Sequence, residues 1–543
     1  MKRLWVFGVI LLFMGISLYL RVVPPYDYVF TGEWIKFTSL DAYWQMEQVE
    51  KIVPNFLYHF THFTQPILGE MTFFHWLLSA TIWCVSLGNP TPQSIDTIAA
   101  YFPAVLGALT IIPVYFLGKV MFNRVIGLIA AGLIAILPGE WLGRSSLGFT
   151  DHHVLEVLLS TTAIMFLVMA IKSQRGKWLI IYGLLSTLFM WLYFQTWRGA
   201  VVFIIILLIT LLVYLLSTHF RHRPFYGLGA GAICLVLVAI IGYRYLVTFY
   251  PMWPTVYTTM EMQRLTLLTA WQNFGIITFL VPIVLVLLGY RAVKYGEVNT
   301  ILLFVWSAVM LVAMLEFRRF AYYYAVNIAF LSGWLLWYVW KNLSKTNLPK
   351  ALAVTAILCG LIIMPNIQMP TAKYSTPSDA WCETLTWVKE NTPEDSLILS
   401  WWDYGYWIQR IGERKAYITP SQEGERITET ANMFLAPPAE DLYINVEYII
   451  LDYSTVIDKL WAIAVWASES EENPHSFVKK YYSYTISSPP VKTYHPAYYQ
   501  SLMAELYFGS YVSQYELVYA SEQEINGVPE VKVFRKRRIG YGL

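Results

Sequence analysis

Repeated apolar runs are the feature that most limits what this chain can fold into. A helix that crosses a membrane needs roughly 20 mostly apolar residues, and the chain offers about eleven such runs. The predicted spans lie near 4–22, 97–118, 126–143, 153–171, 177–195, 199–217, 226–243, 274–290, 299–315, 321–340 and 351–367. Only 14% of the 543 residues are charged, whereas soluble proteins average about 25%. The pattern predicts a polytopic α-helical membrane domain.

Basic residues in the short loops predict the orientation of these spans. Lys2 and Arg3 precede the first run, which lacks a small-x-small cleavage site, so an uncleaved span is favoured over a signal peptide. Alternate loops are all basic, namely 119–124, 172–177, 219–223, 291–294 and 341–350. Because Lys and Arg concentrate in cytoplasmic loops, the stretches 22–95 and 244–273 and everything after residue 370 are predicted to face outside.

The end of the chain has a different character. Residues 371–543 lack long apolar runs and contain strand-like segments near 448–451 and 530–534 and a helix-like segment at 378–390. We therefore predict a transmembrane domain over 1–370 and a soluble mixed α/β extracytoplasmic domain over 371–543. A net charge of +2 gives no reason to expect a nucleic-acid partner. Four widely separated cysteines without a C-x-x-C exclude a zinc ribbon and a dense disulfide framework.

Acidic positions at the predicted outer membrane edge suggest a metal site. Asp41 lies in the first outside loop, and Asp151, His152 and His153 stand where the chain re-enters the membrane. Ionisable residues at such positions are costly and are functional candidates, although Asp151 could also be a plain helix N-cap. Together, Asp41, Asp151 and His153 would supply two carboxylates and one imidazole. Such a set suits Mn²⁺ or Mg²⁺ better than a structural Zn²⁺.

Two further groups on the outer side have both a simple and a functional interpretation. Glu261 is the only carboxylate of the proline-interrupted segment 250–265, and it is either a solvated loop residue or part of an active site. Arg318 and Arg319 stand at the outer edge of a later span. They either anchor at lipid headgroups or bind phosphate oxygens of a lipid-linked substrate, which arginine matches bidentately.

The most specific motif is W-W-D-Y-G at 401–405. With it, the chain resembles the catalytic subunit of asparagine-linked oligosaccharyltransferase, the single-chain kind of bacteria and archaea, over essentially its whole length. The other matching positions are Asp41, Asp151 with His153, Glu261, Arg319 with Phe320, and T-W-R-G at 196–199. The resemblance implies a GT-C-type fold in the cell membrane, an active site on the extracytoplasmic face, and action as a single subunit.

The same resemblance implies a reaction. An oligosaccharide moves from a polyprenyl diphosphate to the asparagine nitrogen of an Asn-x-Ser/Thr acceptor polypeptide. Asp41 and Glu261 would accept hydrogen bonds from the amide N–H groups and free the nitrogen lone pair. A Mn²⁺ or Mg²⁺ ion on Asp41, Asp151 and His153 would offset charge on the leaving diphosphate, and Arg319 and Arg318 would bind that diphosphate.

Recognition of the acceptor hydroxyl is assigned to the soluble domain. Discriminating Ser or Thr from a residue without a hydroxyl needs buried groups that hydrogen-bond it. The resemblance assigns this task to Trp401, Trp402 and Asp403, with Ile463 against the threonine methyl group. Lys459 and Ile463 keep the family's Lys-x-x-x-Ile spacing, but Val456 stands where the family has aspartate. The predicted span count of about eleven also falls short of the thirteen expected for the family.

Three other functions compete with this interpretation. Another GT-C membrane glycosyltransferase, using a polyprenyl-phosphate donor on a hydroxyl or lipid acceptor, would share the acidic first loop but is not expected to contain W-W-D-Y-G. A transporter or channel predicts ionisable residues in the middle of spans, whereas the candidates here cluster at the outer edge. A non-catalytic scaffold would leave the set of acidic positions unexplained.

Overall fold

The structure is a computed structural model in which the chain divides into two compact units. It describes residues 4–62, 71–173, 175–219, 254, 258–368, 376–421, 423–438, 444–468, 474–485, 490–509, 512 and 514–537. The first unit comprises Met1–Thr38, Gln48–Tyr250 and Glu261–Tyr374, and the second comprises Ser39–Glu47, Pro251–Met260 and Ser375–Leu543. The predicted span 226–243 and residues 244–253 and 255–257 of the predicted loop lie outside the described residues.

Long apolar helices dominate the first unit. Among the described residues, seven helices are long and apolar enough to cross a membrane: Trp5–Val22, Pro92–Met121, His153–Lys172, Gly176–Thr196, Arg198–Leu216, Ile277–Tyr295 and Val298–Glu316. Shorter apolar helices are Phe73–Val85, Arg124–Ile136 and Leu348–Ile363. The helices Ala321–Leu343 and Leu348–Gln368 coincide with the last two predicted spans.

Short elements connect these helices. The remaining α-helices up to residue 374 are Tyr26–Val29, Leu40–Ile52, Phe56–His62, Glu140–Arg144 and Leu267–Phe274. Single 3₁₀ turns are Val53–Asn55, Arg198–Ala200, Met260–Met262 and Arg318–Phe320, and a two-stranded ladder pairs Phe30–Thr31 with Trp34–Ile35. The apolar helix Phe73–Val85 falls within the stretch 22–95, which the sequence interpretation treats as an outside loop.

The predicted span 126–143 was wrong at its C-terminal end. Its helix is Arg124–Ile136, and Leu137 is already extended with ψ 125°, because a residue before proline is forced out of the helical region. Gly139 then takes φ +71°, and a Cβ at that position would lie 2.2 Å from Asn273 Oδ1. The chain restarts as the separate short helix Glu140–Arg144. This break creates the turn that holds part of the candidate site.

A five-stranded mixed sheet forms the centre of the second unit. Its strands are β1 Leu397–Leu399, β2 Lys415–Ala416, β3 Tyr448–Asp452, β4 Tyr515–Ala520 and β5 Val531–Lys536, in the order β2-β1-β3-β5-β4. The β2-β1 and β1-β3 pairs are parallel, and β5 is antiparallel to both β3 and β4. The all-apolar interior of β3 places Ile449, Ile450 and Leu451 in the core.

Helices precede, separate and follow the strands of this sheet along the chain. The described helices after residue 375 are Asp379–Asn391, Gly405–Arg410, Gly424–Leu435, Tyr453–Ile457, Leu460–Ala467, Pro474–Val478, Pro496–Tyr499 and Leu502–Phe508. A three-residue antiparallel ladder pairs Tyr482–Tyr484 with Lys492–Tyr494, and a two-residue one pairs Glu524–Ile525 with Val528–Pro529. The polytopic helical domain and the mixed α/β domain together confirm the predicted fold class.

The W-W-D-Y-G motif follows the carboxyl end of β1. Its residues form the 3₁₀ turn Trp402–Tyr404 and then enter the helix Gly405–Arg410. Glycine is needed at position 405 because an added Cβ would come within 2.3 Å of the backbone oxygen of Ile418. Asp452 stands at the same end of the parallel neighbour β3. The carboxyl ends of parallel strands are a common place for binding sites in α/β sheets.

Candidate active site

Asp151, His152 and His153 form a compact cluster at the start of the helix His153–Lys172. One ligand atom from each of the three lies within 4.8 Å of the others. Asp151 Oδ2 is 2.9 Å from His153 Nδ1, but the two groups are not aligned as a hydrogen bond. His152 occupies the N-cap position without a side-chain cap bond, so Asp151 stands one residue before the cap. Close polar atoms without hydrogen-bond alignment fit a set of metal ligands.

Arg144 connects this cluster to Glu261. Its guanidinium Nη2 lies 2.9 Å from Glu261 Oε1, and its Nη1 lies 3.1 Å from His153 Nε2. Arg144 Nε also donates to Glu140 Oε2 at 3.0 Å. The positive charge of Arg144 is thus paired with the carboxylates of both Glu140 and Glu261. Glu261 is therefore ion-paired and not simply a solvated loop residue, and its role in an active site stays a prediction.

The charges around this cluster shift its titration. Burial alone would raise the pKa of Glu261, but the guanidinium of Arg144 and other nearby cations lower it to about 2. Burial alone would raise the pKa of Asp151, yet the imidazoles of His153 and His152 hold it well below its usual range. Burial lowers and the carboxylates of Asp151 and Glu156 raise the pKa of His152, with a net rise to about 9. Both acidic candidates are therefore carboxylates near neutral pH.

The two arginines of the predicted diphosphate site have different surroundings. Arg318 Nε donates to Glu140 Oε1 at 2.7 Å, and the Arg318 backbone N–H donates to Gln263 O at 3.0 Å. The guanidinium of Arg319 lies over the Trp197 ring, 5.1 Å from its centroid. Arg319 is also close enough to contribute to the pKa shifts of His152 and Glu261. Both arginines remain predictions as phosphate ligands.

In the second unit, Asp403 forms one ion pair. Lys459 Nζ lies 2.5 Å from Asp403 Oδ2 and 4.0 Å from the centroid of the Tyr404 ring. Tyr404 itself donates to Asp452 Oδ2 at 2.8 Å, and the Trp381 indole donates to the same oxygen at 3.1 Å. The Lys-x-x-x-Ile spacing thus brings Lys459 directly to the motif's carboxylate.

The two tryptophans of the motif are buried, and one has an unused donor. The indole N–H of Trp402 is buried and has no hydrogen-bond partner among the described residues. Trp401 is 1% exposed and Ile463 is fully buried, whereas the Asp403 side chain is 17% exposed. Trp402 and Asp403 are therefore the motif residues best disposed to offer a donor and an acceptor to a ligand.

Asp41 belongs to the second unit rather than to the unit that holds the other acidic candidates. It lies in the first turn of the helix Leu40–Ile52, where a negative charge is favoured by the helix dipole. In the same short piece of chain, the Tyr43 ring packs edge-on against Trp407 with 6.2 Å between centroids, and Arg410 lies over Tyr43. The structure thus groups Asp151, His153 and Glu261 in one unit and Asp41, Asp403 and Ile463 in the other.

Several residues of this site were missed by reasoning from sequence alone. Arg144 and Glu140 form an i, i+4 pair next to the acidic motif, and that spacing was a usable signal because such pairs share one helix face. Lys459 was not missed, since its spacing to Ile463 had been noted, but it had been assigned no role. Glu156 had no signal beyond being a carboxylate inside an apolar run, which by itself marks a functional candidate.

Comparison with known proteins identifies a family. The model described as "Oligosaccharyl transferase STT3, N-terminal" matches residues 11–359. The chain is 24% identical to dolichyl-phosphooligosaccharide-protein glycotransferase 3 of Archaeoglobus fulgidus, over 96% of this chain and 80% of that protein. It is 25% identical to dolichyl-monophosphooligosaccharide–protein glycotransferase AglB of Haloferax volcanii, over 42% of this chain and 24% of that protein.

Solved structures share the fold. The A. fulgidus oligosaccharyltransferase AglB, solved with an inhibitory peptide and a dolichol-phosphate, superposes with a TM-score of 0.74 at 22% identity, covering 96% of this chain and 80% of that one. A crystal structure of an A. fulgidus oligosaccharyltransferase with Zn and sulfate gives a TM-score of 0.73 at 22% identity, covering 97% and 88%.

Proposed function

The chain belongs to the oligosaccharyl transferase STT3 family and is a multi-pass membrane glycosyltransferase of protein N-glycosylation, and we propose that it transfers an oligosaccharide from a lipid diphosphate to asparagine of Asn-x-Ser/Thr acceptors. The family match over 11–359 is the observation that carries this proposal. We further propose that it acts as a single subunit in the cell membrane with its site on the extracytoplasmic face, which the distribution of basic loops supports.

The lipid carrier is proposed to be of the dolichyl type. The A. fulgidus and H. volcanii relatives are named for dolichyl-linked phospho-oligosaccharides, and an A. fulgidus structure holds a dolichol-phosphate. Arg319 is our main candidate for binding the phosphate, because it is buried beside Trp197 and acts electrostatically on His152. Arg318 shares its charge with Glu140 and would contribute less.

A divalent metal is proposed at the Asp151 cluster. The donor set of carboxylate and imidazole within 4.8 Å fits such an ion, and an A. fulgidus oligosaccharyltransferase has been crystallised with Zn. We propose Mn²⁺ or Mg²⁺ held by Asp151, His153 and, by the resemblance, Asp41. Such an ion, when bound, would supply positive charge to offset that of the leaving phosphate.

Glu261 is proposed to act on the acceptor amide. An amide nitrogen is a poor nucleophile because its lone pair is delocalised into the carbonyl group. A carboxylate that accepts a hydrogen bond from the amide N–H favours rotation about the C–N bond, which localises that pair. The low pKa of Glu261 keeps it able to accept, and Arg144 fixes the carboxylate from the side of Oε1. Asp41 is proposed as the second acceptor.

Acceptor selection is proposed to use Trp402 and Asp403. The unused indole N–H of Trp402 can donate to the Ser/Thr hydroxyl, and Asp403 can accept from it. Lys459 holds the Asp403 carboxylate in position. Trp401 and Ile463 would shape the pocket, Trp401 by packing behind the turn and Ile463 beside the threonine methyl group.

The direct test uses the purified full-length chain with a native lipid extract and a synthetic Asn-x-Thr peptide. Mass spectrometry should detect a glycopeptide with the glycan on asparagine, and a matched Gln-x-Thr peptide should remain unmodified. Chelation of divalent metal should abolish the product, and Mn²⁺ should restore it. Modification of a hydroxyl group instead of asparagine would refute the proposed reaction, and full activity in chelator would refute the metal.

Synthetic donors decide the form of the carrier. Dolichyl monophosphate and dolichyl diphosphate linked to the same glycan should be compared with the undecaprenyl diphosphate equivalent. We expect the dolichyl diphosphate donor to give the highest kcat/KM. A preference for the monophosphate would overturn the diphosphate assignment while leaving the transfer to asparagine intact.

A further inference from the structure

Arg21 is a fully buried arginine near the end of the first helix, Leu4–Val22. Its partners among the described residues are all neutral oxygens, namely the hydroxyl and carbonyl oxygens of Ser17, the carbonyl oxygen of Ala135 and the hydroxyl oxygen of Ser145. A buried cation with neutral partners is costly in a helix that is apolar enough to cross a membrane, and it persists where function requires it. None of the roles proposed above uses Arg21.

The guanidinium of Arg21 closes the helix end that precedes the helix break. The helix Arg124–Ile136 ends in carbonyl groups that lack partners in a following turn, and a cation is favoured at such an end. Arg21 Nη1 donates to Ala135 O at 3.0 Å. The Trp141 indole donates to Ile134 O at 2.9 Å, and the Arg21 guanidinium lies over the Trp141 ring, 5.4 Å from its centroid. Arg21 and Trp141 therefore cap this helix end together.

The same guanidinium holds the far side of the break. Arg21 Nε donates to Ser145 Oγ at 2.9 Å, and the backbone N–H of Leu147 donates to Arg21 O at 2.8 Å. Gly107 makes room for the guanidinium, because a Cβ at that position would lie 2.5 Å from Arg21 Nε. One side chain thus joins the two ends of the segment 135–145.

We propose that Arg21 is a positioning residue for the reaction, because it fixes the segment 135–145 and with it the place of Arg144. The guanidinium of Arg144 lies 2.9 Å from Glu261 Oε1, so a shift of this segment would move the partner that holds the Glu261 carboxylate. The inference rests on the proposed function, in which Glu261 acts on the acceptor amide. An Arg21 that only anchored the first helix would affect stability without a specific effect on turnover.

Kinetics of full-length variants test this role. Arg21→Met keeps a long side chain but removes every donor. We expect kcat to fall by about 10–100-fold, since small displacements of catalytic groups have effects of this order, while the KM for an Asn-x-Thr peptide stays constant. In a Glu261→Gln background the same substitution should add little, because the carboxylate that Arg144 holds is already gone.

Ser17→Ala is the matched control. It removes a partner of Arg21 on the first helix but leaves the contacts across the break in place, so kcat should not change. Ser145→Ala is a milder second variant in case Arg21→Met folds poorly, and it should lower kcat by a smaller factor at constant KM. Unchanged kcat in both Arg21→Met and Ser145→Ala, or equal losses with and without Glu261→Gln, would overturn the proposal.

A second cycle needs no activity and separates this inference from the proposed function. The change in Tm caused by Arg21→Met is measured in the parent chain and in Arg144→Met. Non-additive changes support the positioning of Arg144 by Arg21, and additive changes contradict it. A parent chain that forms no glycopeptide would refute the proposed function, and the Tm cycle would still decide the role of Arg21.

Discussion

The candidate residues of the two units are held by different means. In the first unit, Arg144 is shared among Glu140, Glu261 and His153, and it is almost completely buried. In the second unit, Asp403 pairs with Lys459 and has no other ion pair in the described part of the chain, and the two side chains are 17% and 23% exposed, whereas Glu261 is 34% exposed. The contrast is therefore in the number of partners and not in burial, because moving the buried, shared Arg144 breaks several contacts at once. A pair with one contact can adjust to a ligand at lower cost.

The difference suggests a division of work. Catalysis requires a carboxylate at a fixed position, because misplaced groups lose much of their effect on rate. Recognition of many acceptor sequences requires a side chain that can adapt. On the proposed roles, Glu261 in the first unit has fixed geometry suited to chemistry and Asp403 in the second has the adaptable contact suited to selection, while Asp41 is a catalytic candidate that belongs to the second unit. The following predictions test that contrast.

Removing Arg144 should have the largest effect on stability. Arg144→Met leaves Glu261 without its cation and Glu140 with Arg318 alone. Breaking a fully buried pair on one side costs about 3–5 kcal/mol, and because Glu261 is 34% exposed we expect a loss near the lower end of that range. We expect a correspondingly lower free energy of unfolding, measured by thermal denaturation of the detergent-solubilised protein. The control Arg264→Ala removes an exposed arginine whose side chain is 76% exposed and which pairs with Glu316; its effect should stay below about 1 kcal/mol. Similar losses in both variants would refute the buried network.

Substitution of Glu261 should mainly lower turnover. Glu261→Gln removes the carboxylate charge but keeps the volume, and we expect kcat to fall by about 10²–10³-fold, as when one transition-state hydrogen-bonding group is lost. The KM for the acceptor peptide should change little. Steady-state kinetics with a fluorescent Asn-x-Thr peptide measures both. Unchanged kcat would show that Glu261 plays no part in activating the amide.

Substitution of Asp403 should act on peptide binding instead. Asp403→Ala should raise the KM for the acceptor peptide by about 10–100-fold, the loss expected for a hydrogen bond to a charged group, with a smaller change in kcat. Glu423→Ala is the control, since that exposed carboxylate of the same unit pairs with Arg426 at the surface. A fall in kcat with constant KM would contradict the division of work between the units.

A small backbone effect is expected at Gly405. Gly405→Ala places a methyl group 2.3 Å from the Ile418 oxygen, and relieving such a clash costs about 1–3 kcal/mol. Gly424→Ala is the control, because its added Cβ would meet only a Trp466 ring atom at 3.8 Å. Thermal unfolding of the two variants compares them directly. Equal stability would mean that the turn after β1 can shift without cost.

The sequence predicted the membrane helices better than it predicted how they end. Nearly every described span was found within a few residues, because long apolar runs have few alternatives to a membrane helix. The span 97–118 is built from Pro92–Leu109 and Ile111–Met121, and the end of 126–143 was misjudged because local sequence around Pro138 and Gly139 overrides hydropathy. Helix breaks of this kind depend on single residues, which a window of apolar residues averages out.

The candidate site was predictable where it is local. W-W-D-Y-G is contiguous, and its turn and helix follow from a single strand end. Arg144 was not predicted as a site residue. Its partner Glu261 is distant in sequence, and its contact with His153 can be expected only once the helix break at Gly139 is known. Ion pairs between separate segments are set by tertiary packing, and no periodicity in the chain reports them.

The indole N–H of Trp402, buried and without a partner among the described residues, has a consequence for the proposed choice of acceptors. It is shielded from water before any peptide binds, so a Ser or Thr hydroxyl that reached it would relieve an unsatisfied buried donor, worth about 1–3 kcal/mol. A peptide with alanine at that position would leave the donor as it is in the free chain. Selectivity of this kind would come from what the hydroxyl gains and not from a penalty on the wrong peptide.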